Sequence, residues 1–330
     1  MQELAFWVSP GRGEIRPVTL AEPGPGQVRV RTLRSGVSRG TETLVFRGAV
    51  PPDQRERMRA PHQDGDFPGP VKYGYLNVGV VEAGDPELLG RTVFCLHPHQ
   101  TAYVVPAADV VVVPVDVPPE RAVLAGTVET AVNALWDAAP MVGDRVAVVG
   151  AGMVGCCVAR LLAAFPGVET TLVDIDPARE RTAEALGVGF ALPDDAPHGL
   201  DLVLHTSATS AGLQRSLELL APDGTVVDLS WYGDTPVQLE LGGAFHAGRL
   251  SVRASQVGEV AVARRHRRSR SERLALALEL LRDDAFDALL TGASPFAELP
   301  ELMVDLTSGA RDALCHAITY PDVQEVPCSA

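Results

Sequence analysis

The sequence predicts an α/β protein: a β-rich domain joined to a doubly wound parallel-sheet domain. Three observations predict it. Gly150, Gly152 and Gly155 stand in a G-x-G-x-x-G run between an apolar strand and a helix-forming stretch. From about residue 121 to 257, strand-like and helix-like segments alternate, the pattern of βα units covering both faces of a parallel sheet. The first 118 residues combine period-two runs with clustered prolines and glycines, the texture of a β-rich domain with loops.

In the first domain, Gln27-Val28-Arg29-Val30-Arg31 alternates as a half-buried strand does, and Val110 to Val113 is a further strand. Pro118-Pro119-Glu120 opens a helix, with Pro119 suited to the first turn. The second domain runs through strand Arg145–Val149, helix Met153–Phe165, strand Thr170–Ile175, helix Pro177–Leu186 stopped by Gly187, and strand Val188–Leu192. Strand Asp201–His205, helix Ala211–Leu220 and strand Gly224–Ser230 follow, and Leu250–Val257 closes the set. Leu274, Leu278 and Leu281 line one helical face beyond the basic run Arg264–Arg270, which reads as a solvated helix start or as a grip for an anionic substrate group. Cys315–Tyr320 is a last strand. These runs divide the chain into 1–120, 121–257 and 258–330.

The glycine run carries the chemistry. Gly150 permits a tight turn, Gly152 lets backbone approach a pyrophosphate, and Gly155 lets the helix pack closely on the strand. Met153 and Val154 begin that helix, whose free N–H groups and partial positive charge suit phosphates. Asp174 lies 19 residues beyond Gly155, where an acid bonds ribose hydroxyls and repels a 2′-phosphate. With its neighbour Ile175 it predicts NAD as the cofactor of a Rossmann domain. Thr206-Ser207 and Ser230-Trp231-Tyr232 end later strands and should line the nicotinamide side.

The bulk numbers exclude several classes. A net charge of −14 argues against nonspecific nucleic-acid binding and against anionic membranes. No signal-like or bilayer-spanning apolar run is seen. Cys95, Cys156, Cys157, Cys315 and Cys328 fit neither a disulfide framework nor a zinc pattern, as expected of small buried residues in a reducing cytoplasm. Lys72 is the sole lysine. A lysine surviving such an arginine bias marks either a chance surface site or a need for a compact, titratable ammonium.

The segments Glu22-Pro23-Gly24-Pro25-Gly26-Gln27-Val28-Arg29-Val30, Ser35-Gly36-Val37-Ser38, Val78-Gly79-Val80-Val81-Glu82-Ala83-Gly84 and Val142-Gly143-Asp144-Arg145-Val146, with the glycine run, resemble the medium-chain dehydrogenase/reductase superfamily over nearly the whole chain. Ser35–Glu42 is similar to the subgroup near bacteriochlorophyllide dehydrogenases. The resemblance implies a GroES-like β-rich catalytic domain, 1–120 with 258–330, beside a Rossmann domain, 121–257, a homodimer or homotetramer pairing through 250–257, and Arg179 over the adenine ribose or on a helix surface.

The resemblance also marks departures. Where zinc-dependent members place a first-ligand cysteine, this chain has Ser38. The histidine position holds Tyr75, its neighbouring acid is Leu76, and the third ligand falls near Gly126. Zinc takes thiolate, imidazole or carboxylate donors, so no metal is expected. Protein groups must then move the proton while nicotinamide carries hydride. Tyr75 is the first candidate, with Lys72 lowering its pKa or relaying its proton; Tyr75 as a packing residue is the alternative. Ser38 either bonds substrate or caps a turn. The usual hydroxyl of the relay falls at Gly40, leaving Thr41 and Glu42 as substitutes or turn residues. His97 and His99 are the other candidate proton donors. The expected function is zinc-independent, NAD-dependent interconversion of a secondary alcohol and a ketone on a small polyol, sugar-like or secondary-metabolite substrate. An enoyl or quinone reductase and a non-catalytic NAD-binding protein are the alternatives.

Overall fold

A computed structural model describes residues 2–321, so Cys328 lies outside the described residues. The chain divides into two compact units: residues up to Gly126 together with those from Leu290 onward, and Thr127–Leu289.

The first unit opens with β1 (Glu3–Ser9) and β2 (Arg12–Val18), an antiparallel hairpin. β3 (Gln27–Ser38) is longer than the sequence pattern suggests. Its first half alternates as predicted, with Val28, Val30 and Thr32 buried. Its last four residues are buried on both faces, so periodicity cannot report them. β3 feeds directly into α1 (Arg39–Phe46). After β4 (Asp64–Gly65) and β5 (Val71–Lys72) come β6 (Asn77–Gly84), β7 (Thr92–Cys95), β8 (Ala102–Pro106) and β9 (Val110–Val112). The unit's first sheet has the order β2-β1-β5-β4. α2 (Pro119–Ala122) starts on Pro119, as the missing proline N–H allows, and α3 (Ala125–Ala138) follows.

The second unit is the doubly wound sheet. Strands β10 (Arg145–Val149), β11 (Glu169–Val173), β12 (Gly189–Ala191), β13 (Leu200–His205), β14 (Leu220–Asp228) and β15 (Ser251–Ala254) lie in the order β12-β11-β10-β13-β14-β15, every pairing parallel. Helices α4 (Met153–Leu162), α5 (Glu180–Leu186), α6 (Ser210–Glu218) and α7 (Ala244–Ala247) connect them. Val149, Val173, Val203 and Val226 share one buried cluster with Leu213 and Leu217 of α6. Gly187 ends α5 at φ +71°, the left-handed C-cap that glycine adopts without strain.

α8 (Arg270–Leu280) opens on a capping box between Ser269 and Glu272, and buries Leu274 and Leu278 as predicted. The arginines and histidine of 264–270 are exposed, the solvated reading of that run. The expected boundary is corrected here, because 258–289 belongs with the second unit. Arg273 is fully buried and bonds Glu129, Asn133 and the carbonyls of Val257 and Glu259, fastening α8 and its leading loop to α3.

The first unit resumes with β16 (Leu290–Pro295), α9 (Leu299–Ser308) and β17 (Cys315–Thr319). These complete a seven-stranded sheet of order β16-β17-β3-β6-β7-β9, with β8 pairing β3. β17 runs antiparallel to β3 in the register Cys315↔Ser38 and Ile318↔Ser35. No described helix is long and apolar enough to cross a membrane.

Candidate active site

In the first unit, the β3–α1 junction gathers a buried polar network. Glu42, in the first turn of α1, is 4% exposed. Its Oε1 accepts from the Ser38 N–H at 2.7 Å, and its Oε2 meets His99 Nε2 at 2.9 Å. His99 Nδ1 lies 2.7 Å from Ser35 Oγ, which lies 2.9 Å from the Tyr320 hydroxyl. A carboxylate only accepts, so Nε2 donates to Glu42. In the Nε2–H tautomer, Nδ1 accepts from Ser35, and Ser35 accepts from Tyr320. Gly74 leaves room for the imidazole: a Cβ there would stand 2.8 Å from its Cδ2, and φ is +123°. The Tyr75 O–H donates to Ser38 Oγ at 2.7 Å. The two positions that the family resemblance pairs with zinc ligands therefore bond each other.

Burial, first, and the Glu42 charge raise the Tyr75 phenol above its ordinary pKa, against opposing hydrogen bonds with Ser38 and Thr41. The phenol is a proton donor at neutral pH, not a phenolate. This corrects the expected role of Lys72. Its Nζ donates to Gln100 Oε1 at 3.0 Å, stands 3.5 Å from Asp64 Oδ2 and lies over the Trp7 ring. Cross-strand register decides this, because β5 sets Lys72 opposite Asp64. His97 is corrected as well. Its ring stacks on Tyr103 at 3.8 Å and on His62 at 5.6 Å, and Nδ1 bonds the Pro98 carbonyl. Burial pushes its pKa well below the ordinary value, leaving a neutral packing residue. Ser35 and Tyr320 were not legible as site residues. They are 285 positions apart, and only the β3–β17 register joins them.

In the second unit the glycines behave as their spacing requires. Gly150 has φ +109°, and a Cβ there would stand 2.7 Å from Ser207 N. A Cβ on Gly155 would reach 1.9 Å from the Gly150 carbonyl, whereas nothing lies within 4 Å of one on Gly152. Gly150 and Gly155 serve the fold, and Gly152 leaves open space over the start of α4. Asp174 accepts from Ala151 N–H at 2.6 Å and Asp176 N–H at 2.9 Å, so β11 is latched to the glycine loop. Thr206 Oγ1 donates to the Gly150 carbonyl at 2.8 Å. Met153 is buried, Val154 half-buried and Ile175 exposed. Arg179 Nε is 3.5 Å from Asp176. Ser230 Oγ accepts from Ala208 N–H at 3.1 Å. The cofactor-site residues predicted from sequence thus cluster at the carboxyl ends of β10, β11, β13 and β14, where such sheets bind ligands. Open space at Gly152 and a carboxylate beyond β11 fit an adenine dinucleotide.

No protein-family model and no curated protein sequence matches the chain. Solved structures do. L-idonate 5-dehydrogenase from Escherichia coli superposes with a TM-score of 0.79 at 14% identity, over 97% of this chain and 98% of that one. An E. coli alcohol dehydrogenase solved with NADH gives 0.75 at 15%, over 97% and 100%. The chain has the alcohol dehydrogenase fold. A dehydrogenase structure from Sinorhizobium meliloti bound to NADP gives 0.77 at 17%, over 97% and 99%. Among the described residues of this alcohol dehydrogenase fold, no three His, Cys, Asp or Glu side chains converge as a metal-holding group. The described cysteines are free and buried, and burial raises the thiols of Cys156 and Cys315 to about 12.

Proposed function

We propose that the protein is an NAD-dependent oxidoreductase that interconverts a secondary alcohol and a ketone without zinc. The observation that carries this reading is the Tyr75 O–H to Ser38 Oγ bond of 2.7 Å, with the pair standing at the positions the resemblance gives to zinc ligands. A hydroxyl, a phenol and Gly126 offer none of the thiolate, imidazole or carboxylate donors that zinc prefers. They do offer a proton. Because Tyr75 donates to Ser38, the Ser38 hydroxyl hydrogen is directed away from that bond and toward a substrate oxygen. Reduction draws a proton from Ser38, which Tyr75 replaces, and oxidation runs the path in reverse. Glu42, fixed by His99 and the Ser38 N–H, holds the β3–α1 turn that carries Ser38. Lys72 and His97 have no part in this scheme.

The glycine loop, Thr206, Ser207, Ser230 and Arg179 would hold the dinucleotide, which supplies the hydride. Asp174 would accept from the adenine ribose hydroxyls and disfavour a 2′-phosphate. A small polyol or sugar-like alcohol suits a proton relay built of hydroxyls. The exposed edge strand β15 would pair two copies as a homodimer; a single-chain mass by light scattering sinks that element.

The test is titration of NADH and NADPH against the fluorescence of Trp231, which follows Ser230. We expect NADH to bind at least tenfold more tightly, and Asp174→Asn to narrow the gap. With a substrate drawn from an alcohol and ketone panel, Tyr75→Phe should lower kcat by about 10² or more, the usual contribution of a positioned acid. Equal affinity for the two coenzymes overturns the NAD assignment, and an unchanged kcat overturns the relay.

A further inference from the structure

A further histidine–carboxylate contact lies outside this proton path, at the carboxyl ends of β13 and β14. The parallel register sets His205 beside Asp228. His205 is wholly buried, and its Nδ1 lies 2.9 Å from Asp228 Oδ1. Asp228 Oδ1 also accepts from the Ser230 N–H at 2.9 Å, and Oδ2 from the Tyr232 hydroxyl at 2.9 Å. Burial pushes the Asp228 carboxyl up, but hydrogen bonds from His205, Ser230 and Tyr232 outweigh it and hold the group below its ordinary range. The acceptor-only carboxylate fixes the proton on Nδ1. Nε2 then presents a lone pair, and Ser207 Oγ stands 2.7 Å from it. In that tautomer the imidazole is placed as a general base aimed at a serine hydroxyl.

The backbone places the serine with equal care. Ser207 sits in a four-residue turn between β13 and α6, next to Ala208 at φ +53°, a conformation alanine seldom adopts. Small neighbours permit it: a Cβ on Gly212 would stand 2.1 Å from Ser207 Oγ. Thr209 caps the Gly212 N–H. The N–H groups of Ser210 and Ala211 have no acceptor within their own helix, so the positive end of α6 faces the turn. Serine, base, orienting acid and a helix N-terminus are the parts that acyl transfer needs.

We propose that Ser207, His205 and Asp228 form an acyl-transfer triad that hydrolyses small, uncharged carboxylic esters in the cofactor-free protein. Ser207 Oγ bonds to the ester carbonyl carbon while its proton passes to His205 Nε2. The carbon–alkoxy bond breaks, and the leaving alkoxide takes that proton. Water then attacks the acyl-serine, its proton following the same path, and the free acid departs with Ser207 restored. The reaction needs no oxidant or reductant and stands apart from hydride transfer.

A fluorophosphonate probe tests this on the full chain, because it forms an adduct with an activated serine by displacing fluoride. Peptide mass spectrometry should find the adduct on Ser207, and p-nitrophenyl acetate should be hydrolysed with a burst of p-nitrophenol. His205→Gln should slow labelling by about a hundredfold or more, the loss expected for a general base. Ser207→Ala should abolish adduct and burst with an unchanged thermal melt by circular dichroism. The wild-type adduct and Ser207→Ala decide the matter even where a His205 variant fails to fold. No adduct on Ser207, an adduct on another serine instead, or a rate untouched by His205→Gln in a folded variant overturns the proposal.

Discussion

Glu42 gives the sharpest measure of the buried network, through two substitutions that differ in one respect. Glu42→Ala removes both oxygens. The Ser38 N–H, now bonded at 2.7 Å, and His99 Nε2, at 2.9 Å, are left without partners where the side chain was 4% exposed. Each unsatisfied buried group costs about 1–3 kcal/mol, so the two together cost about 2–6 kcal/mol. Glu42→Gln keeps the volume and one acceptor. Its carbonyl can still take the Ser38 N–H, and its amide can donate to His99 Nε2 once the imidazole proton moves to Nδ1 and points at Ser35. That rearrangement needs no new space, so the loss should be about 1–2 kcal/mol. Urea denaturation measures both. Glu42→Gln has a second readout. The Glu42 charge raises the Tyr75 phenol, so its removal should bring Tyr75 titration to lower pH in ultraviolet difference spectra. Equal losses for the two variants, or a loss below about 1 kcal/mol for alanine, refute the reasoning.

Two further predictions concern the glycine loop and the buried imidazoles. Gly155→Ala forces a Cβ to within 1.9 Å of the Gly150 carbonyl and should destabilise by more than about 3 kcal/mol. Gly152→Ala meets nothing within 4 Å and should leave the melting temperature unchanged while weakening NADH binding at least tenfold; calorimetry reads both. His97 stays neutral when folded because burial lowers its pKa, whereas the unfolded residue takes a proton near pH 6.5. The unfolded chain therefore binds more protons below that pH, and stability falls with acid. The slope is about 1.4 kcal/mol per pH unit from this residue. The urea midpoint should be flat above pH 6.5 and drop below it, and His97→Phe, which keeps the stack on Tyr103, should shallow the drop.

The sequence by itself determined the parts that obey local rules. The glycine spacing, the strand before it, the helix after it and Asp174 at 19 residues follow from short-range geometry, and the structure places them together. Periodicity gave the strands and the Leu274–Leu281 helix face, because a half-buried element repeats its burial along the chain. Ser38 and Tyr75 stood out because each lies inside a segment that resembles a known family, and the structure bonds them to each other. What the tertiary structure alone decided was pairing between distant positions. Lys72 follows Asp64 and Gln100 because of β-sheet register, and His97 is packed neutral by Tyr103 and His62. Ser35 meets Tyr320, and His205 meets Asp228, across neighbouring strands. A hydrogen bond spans about 3 Å whatever the sequence separation, and no local pattern records which two strands will lie side by side.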